Sequence, residues 1–202
     1  MTLSRRAALR SGTAIAIGGL AGCLGGGSTA ERVDSLPAPT LGSADAPVTV
    51  QAFEDFSCGH CGTFALQVLP QIVSEYVEPG EVRYEHHDFP FISEWSWKAA
   101  SAARAVQDNV GNEAFFAFSK GLYRNMDAYS LDLVGSLAAE VGAEPETVRA
   151  AAADLVYKPV LEADEELGRQ KGVQGTPTVF VDGQKVANYS FGTVSNSIES
   201  RL

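Results

Sequence analysis

The sequence predicts an α/β fold with a mixed central sheet: a βαβ unit over residues 45–92, an all-helical insertion over 93–171 and a closing ββα unit over 172–202. Three observations predict it. Two β-rich runs, "APVTVQAFEDF" (46–56) and "GEVRYEHHDFPF" (80–91), flank a run with apolar residues at helical spacing. From Ser93 to Lys171 the character is almost wholly helical. Beta character then returns in "GVQGTPTVFVDGQKVANYS" (172–190).

The N-terminal residues stand outside this scheme. Arg5, Arg6 and Arg10 precede an apolar stretch from about Thr13 to Leu20. That stretch is too short for the roughly 20 residues of a bilayer span and suits the core of an export signal over residues 1–22. "SRRAAL" resembles a twin-arginine signal, although Ala8 stands where that pattern prefers a large apolar residue. "LAGC" (20–23) is similar to a lipobox, which implies a lipid on Cys23 and attachment to the outer face of the cell membrane. The alternative is a signal that is cut elsewhere or retained, with Cys23 incidental. Residues 23–44 are rich in Gly, Ser and Pro and read as a flexible tether.

Within the βαβ unit, the first strand ends just before "CGHC" (58–61), and "GTFALQVLPQIVSEYV" (62–77) continues as a helix with a kink expected at Pro70. In the insertion, Ser130 is a good N-cap, Pro145 sits as a first-turn residue and Pro159 splits the last long helical stretch. Trp95, Trp97, Phe115, Phe116 and Phe118 read as core packing rather than as a binding surface. "TVFV" and "KVANY" flank the turn "DGQ" as a hairpin, and "TVSNSIESRL" closes the chain as a short helix.

The chain has 202 residues and a formal net charge of −10, with only five lysines. Setting aside the three N-terminal arginines leaves 12 basic against 25 acidic residues. Such a surface repels nucleic acid and anionic lipid, so no nucleic-acid partner is expected. Acid excess with sparse lysine also resembles proteins that work in high salt, where screening relieves self-repulsion. An ordinary acidic protein has the same totals.

A βαβ unit and a ββα unit split by helices, with "CGHC" at the first strand-to-helix junction and "GVQGTPTVFVDG" (172–183) before a hairpin, resemble the DsbA-like branch of the thioredoxin superfamily. The resemblance covers about residues 45–202. It implies a thioredoxin fold interrupted by a helical domain and a thiol–disulfide oxidoreductase without a cofactor. It also implies partners among exported protein thiols and disulfides, and a membrane redox protein that recycles the pair. In that family a threonine and a cis proline lie beside the disulfide, which places Thr176 and Pro177 as substrate-binding residues.

The residues themselves suit that chemistry. Disulfide exchange needs a stabilised, reachable thiolate and a second thiol close by. The free N–H groups and positive dipole end at the start of a helix favour an anion at Cys58. His60, when protonated, adds a second charge, and Gly59 relaxes the turn. Cys61 lies one turn deeper and shielded. Cys58 is therefore expected as nucleophile and Cys61 as resolving thiol, with a static disulfide as the bland alternative.

Two departures from the family pattern matter. Many such enzymes carry a buried acid six residues before the first cysteine, where this chain has Ala52. Glu54 points to the same strand face and is the candidate proton carrier, whereas an acid pair such as Glu54–Asp55 more often ends a strand in solvent. Pro-His is usual between the cysteines of DsbA-type oxidases, and Gly59-His60 is the dipeptide of disulfide isomerases, so the direction of electron flow stays open. Rival readings are a copper or zinc chaperone using the cysteines with His60, His86 and His87, or a binding module without catalysis. Against the metal, adjacent strand residues His86 and His87 face opposite ways, and no second CxxC completes a site.

Overall fold

The computed structural model describes residues 31–202. The export signal expected over 1–22, Cys23 and the first residues of the tether lie outside the described residues. Five strands form one mixed sheet: β1 (Thr40–Leu41), β2 (Val48–Glu54), β3 (Val82–Asp88), β4 (Thr178–Val181) and β5 (Gln184–Lys185). Their order is β1-β3-β2-β4-β5, with β2 and β3 parallel and the other pairs antiparallel. β2 is central because Val48, Val50, Ala52 and Phe53 are all fully buried, so both faces need cover.

The parallel β2–β3 pair requires a crossover, and residues 59–77 (α1) supply it. Pro70 has no N–H and its ring crowds the carbonyl four residues back. The run absorbs this by loosening into two π-helical turns, Phe64–Val68 and Val73–Val77, on either side of Leu69–Ile72. The expected kink is thus a change of helical pitch. The helices that follow are α2 (Glu94–Val110), α3 (Asn112–Arg124), α4 (Leu131–Glu140), α5 (Pro145–Asp154), α6 (Lys158–Gln170) and, after the hairpin, α7 (Phe191–Glu199). Ser93 caps α2 in a capping box with Ser96, and Ser130 caps α4 by accepting from Leu133 N. Leu155, in the left-handed region at φ 51°, ends α5, and Pro159 sits in the first turn of α6. Phe115, Phe116 and Phe118 are buried in the main core, as expected for packing residues. Among the described residues no helix is long and apolar enough to cross a membrane.

Two expectations need correction. The tether does not extend to residue 44. Val33 N donates to Val156 O (3.0 Å), Pro39 O accepts from His86 N (2.9 Å), and Thr40–Leu41 adds an edge strand to β3. A Pro-rich segment makes few hydrogen bonds of its own, yet its carbonyls are strong acceptors for groups that lack partners elsewhere. Pro37 O takes Arg104 Nη1 (3.1 Å) and Gln107 Nε2 (3.0 Å). The second hairpin strand is also shorter than "KVANY". Asp182 and Gly183 make a two-residue turn with φ of 46° and 75°, after which the strand covers only Gln184–Lys185 and a last bond runs from Val186 N to Val179 O (3.0 Å). Residues 186–189 then turn toward the cysteines.

Arg104 of α2, fully buried, ties the helical layer to the sheet. Its Nε donates to Asp88 Oδ2 (2.7 Å), its Nη1 to Gln107 Oε1 (3.0 Å), and its Nη2 to Asp164 of α6. Asp164 also accepts from Asp88 N (3.1 Å) and bonds His87 Nδ1 (3.0 Å). The opposite face of β2 is covered by a small second core of Phe53, Phe89, Val173 and Phe180. There α6 approaches so closely that a Cβ on Gly168 would lie 2.7 Å from Phe89 and 3.0 Å from Phe53. Gly168→Ala should therefore destabilise the protein by about 1–3 kcal/mol through overpacking, even though alanine is the better helix former. The check is urea denaturation, with a lowered midpoint at unchanged slope.

Candidate active site

β2 ends by delivering Glu54 and Asp55 into the interior, at 2% and 1% exposure, so the expectation of a strand end in solvent is overturned. Asp55 builds the turn that follows. Its carboxylate accepts from Ser57 N (2.7 Å), Phe91 N (2.9 Å) and Ile92 N (3.1 Å), pinning the loop after β3 against the cysteine segment. Cys58 N donates to Asp55 O (3.0 Å), which sets Cys58 as the extended N-cap residue of α1.

No side chain caps this helix and no acidic residue stands in its first turn. The free N–H groups therefore face the Cys58 sulfur. Thr176 approaches from the β4 side, its peptide bond to Pro177 cis and its carbonyl 3.3 Å from Cys58 Sγ. As a thiol, Cys58 donates to that carbonyl. As a thiolate it accepts instead. The Cys61 thiol is its strongest donor; burial works the other way; Thr176 and the backbone N–H groups of Cys61 and His60 add to the lowering. The Thr176 hydroxyl is buried with no other partner among the described residues, so it is free for this task. Together these bring Cys58 down to about 5. Cys61 is fully buried. Burial first, then its bond to Cys58 and the negative charge of Glu54, hold its thiol well above the ordinary range. Both cysteines are free thiols.

The His60 ring is held by Tyr189. Its Nδ1 lies 2.8 Å from Tyr189 Oη, and the support it gives Cys58 comes from its backbone N–H. A Cβ at Gly59 would meet nothing within 4 Å, so the glycine is not imposed by lack of space.

Glu54 is buried on the strand face it shares with Ala52. Its Oε1 accepts from Tyr84 Oη (2.7 Å) and bonds His86 Nδ1 (3.1 Å), and its Oε2 accepts from Tyr123 Oη (3.2 Å). His86 Nε2 in turn meets Asp88 Oδ1 at 3.2 Å. A ring with a carboxylate at each nitrogen donates from both, as an imidazolium. Burial opposes that charge, but the hydrogen bonds and attraction of Asp88, then of Glu54, outweigh it and raise His86 to about 9. His86 and His87 do face opposite ways. His87 stacks on Phe53 and bonds Asp164. Among the described residues no group of three or more His, Cys, Asp or Glu is arranged to hold a metal ion.

Sequence reasoning missed Tyr84, Tyr123, His86, Tyr189 and Ser119, the last of which lies beside Glu54. Tyr123 comes from the helical layer, 69 residues from Glu54, and no local pattern pairs the two. Alternation along β3 could have placed Tyr84 and His86 on one face with Glu54.

Because the folded-state value of His86 lies above its unfolded value of about 6.5, its proton adds stability that is complete below about pH 6.5. That stability is lost as the pH rises through about 9. His87, also raised, acts in the same direction. Cys58 runs oppositely in the reduced protein, since its lowered value contributes stability that disappears as the pH falls through about 5. With the cysteines joined, the histidine effect is the one left between about pH 6.5 and 9, since the lowered Glu85 and Asp88 act only at acid pH. The urea midpoint of the oxidised protein should then fall steadily between about pH 6.5 and 9.5. A flat midpoint would mean that His86 is neutral in the fold.

The sequence profile of the family described as Thioredoxin matches residues 34–200. The chain is 32% identical over 171 residues to probable disulfide bond formation protein D of Bacillus cereus, across 81% of this chain and 78% of that protein. Disulfide bond formation protein D of Bacillus subtilis is 27% identical over 171 residues, across 81% and 77%. The solved structure of oxidised BdbD from Bacillus subtilis superposes with a TM-score of 0.76 at 26% identity, covering 85% of this chain and 98% of that one. DsbA of Chlamydia trachomatis shares the fold with a TM-score of 0.74 at 22% identity, covering 84% and 94%. A profile match and a sequence likeness that both run through most of the chain carry the assignment, and the chain belongs to the DsbA-like thiol–disulfide oxidoreductases of the thioredoxin superfamily.

Proposed function

We propose that this protein works outside the cytoplasm as a thiol oxidant, passing the Cys58–Cys61 disulfide to exported proteins. One arrangement carries the reading: Cys58 stands at the uncapped start of α1 with Thr176 against its sulfur, which lowers it to about 5, while Cys61 is fully buried near Glu54 and is raised well above the ordinary range. A strongly stabilised thiolate favours the reduced pair, so the disulfide is readily given up. This bears on the electron flow that Gly59-His60 left open, and the relatives named for disulfide bond formation point the same way.

In this mechanism a substrate thiolate attacks Cys58 Sγ, the Cys58–Cys61 bond breaks, and Cys61 leaves as a thiolate that takes a proton from Glu54. A second substrate thiol then attacks the mixed disulfide and releases Cys58 as the stabilised thiolate. The substrate dithiol loses two electrons and the pair gains them. A membrane redox partner restores the disulfide. The substrate chain docks as an extended segment along Thr176 and Pro177, where the backbone has edge groups free for pairing. A cleft of about 370 Å³ beside Pro177 leaves room for it. On the other side of Cys58, Phe91 and Ile92 stand about half exposed and offer apolar contact to unfolded chain. The N-terminal sequence supports export through residues 1–22 and a lipid on Cys23, which would hold the domain at the outer face of the membrane.

Equilibration with glutathione tests the direction. The reduction potential should lie nearer about −120 mV than about −270 mV, and a value at the lower end would make the protein a reductant. Cys61→Ser should accumulate a mixed disulfide between Cys58 and substrate, seen as a reducible adduct on a gel, whereas Cys58→Ser should form none. An undiminished oxidase turnover in Cys61→Ser would overturn the assigned roles.

A further inference from the structure

After Val186 N makes its bond to Val179 O (3.0 Å), the chain leaves the sheet on a detour whose end is fixed. Ser190 N donates to Asn188 Oδ1 (2.9 Å), and Ser190 is the N-cap of α7, its side chain accepting from Thr193 N. Tyr189 is held between these anchors. Its ring packs edge-on against Phe64 of α1, with centroids 6.4 Å apart and an interplanar angle of 89°, and Phe64 is fully buried. Packing therefore places the phenol oxygen, and little side-chain freedom is left to lose when that oxygen makes a hydrogen bond.

The oxygen lies 2.8 Å from His60 Nδ1. A phenol serves either form of the ring. It donates to Nδ1 of a neutral imidazole and accepts from Nδ1–H of an imidazolium, and in both cases that nitrogen is taken. The Cys58 sulfur meanwhile bonds Thr176 O, and among the described residues neither ring nitrogen of His60 bonds it. His60 is exposed and stands two residues from Cys58 in the first turn of the same helix, so a ring released by the phenol has room to turn toward the sulfur.

Such a turn would matter in one redox state alone. Reduction of the Cys58–Cys61 bond places two electrons and one proton on the pair, leaving Cys58 as thiolate and Cys61 as thiol. A thiolate is a strong acceptor and a disulfide sulfur is not. A ring N–H aimed at Cys58 would therefore stabilise the reduced pair and leave the oxidised pair unchanged.

We infer that Tyr189 is a positioning residue: its hydroxyl holds the His60 ring by Nδ1, keeps that nitrogen from the Cys58 sulfur, and so tempers the oxidising strength of the pair. The inference rests on the reading of Cys58 and Cys61 as the redox pair, whichever way electrons flow. Tyr189 acts through His60, and the detour after Val186 is the backbone arrangement that brings it there.

Tyr189→Phe removes the hydroxyl and keeps the ring that packs on Phe64 and lines the cleft beside Pro177. On equilibration with reduced and oxidised glutathione, this variant should shift the equilibrium constant toward the reduced pair by roughly threefold to tenfold, the scale of one net hydrogen bond. The ultraviolet absorbance of its Cys58 thiolate should titrate at lower pH than in the unaltered protein. Neither change should follow when the same substitution is made in a His60→Ala protein, which has no ring to release. No shift in Tyr189→Phe, a shift toward the oxidised pair, or a shift that persists without the His60 ring would each overturn the inference. The unaltered protein's own equilibrium with glutathione reports separately on electron flow. If it proves a reductant, the oxidant reading falls, while the difference between Tyr189→Phe and the unaltered protein still decides the role of Tyr189.

Discussion

Glu54 and Asp88 press into a low-dielectric interior with His86 and Arg104, Asp164 reaches Arg104 from the partly exposed rim, and every charge inside must meet a partner. An unpaired buried charge costs several kcal/mol, whereas a fully hydrogen-bonded cluster is tolerated. This requirement organises much of the molecule. Arg104 draws α2, α6 and the Pro37 carbonyl together over one end of β3. His86 joins Asp88 to Glu54, so the acid beside Cys61 is positioned by a chain of contacts that reaches the helical layer. The helices do more than cover the sheet, since Tyr123 of α3 is one of three side chains that hold Glu54.

The difference between the two sulfurs follows from where the same short helix starts and where its first turn ends. At Cys58 the backbone offers N–H groups and Thr176 adds an unpaired hydroxyl, so negative charge is favoured. One turn on, Cys61 meets apolar packing and the charge of Glu54, so negative charge is opposed. A pair so unequal gives exchange a direction at each step, one sulfur leaving easily and the other only with help from an acid. The His60 backbone N–H supports Cys58, and its ring is held by Tyr189.

Much of this was legible along the chain, wherever the governing physics is local. Alternation over residues 48–54 and the spacing of Cys58 and Cys61 are properties of a strand and a helix. Ser130, Pro145, Pro159 and Asp182-Gly183 act through their own backbone geometry, and their elements begin, end or turn where such residues allow. The tether was misread for the complementary reason. Composition reports how few hydrogen bonds residues 33–41 make among themselves, and says nothing of Arg104, Gln107 and β3, which supply partners from far along the chain. "KVANY" failed similarly: its residues suit a strand, but the chain beyond Lys185 leaves the sheet and carries Tyr189 to His60.

By itself the sequence determined the alternation of elements, the pair of cysteines at the opening of a helix, and the face of β2 on which Glu54 lies. Backbone propensity, side-chain periodicity and turn chemistry act over a few residues, and those few residues are all that such features require. Only the tertiary structure decided that Glu54 is buried rather than solvated, that Tyr84, His86 and Tyr123 are its partners, and that Ser119 stands unpaired beside it. Burial and hydrogen-bond partnership depend on which distant segments arrive at the same place, and packing of the whole chain settles that.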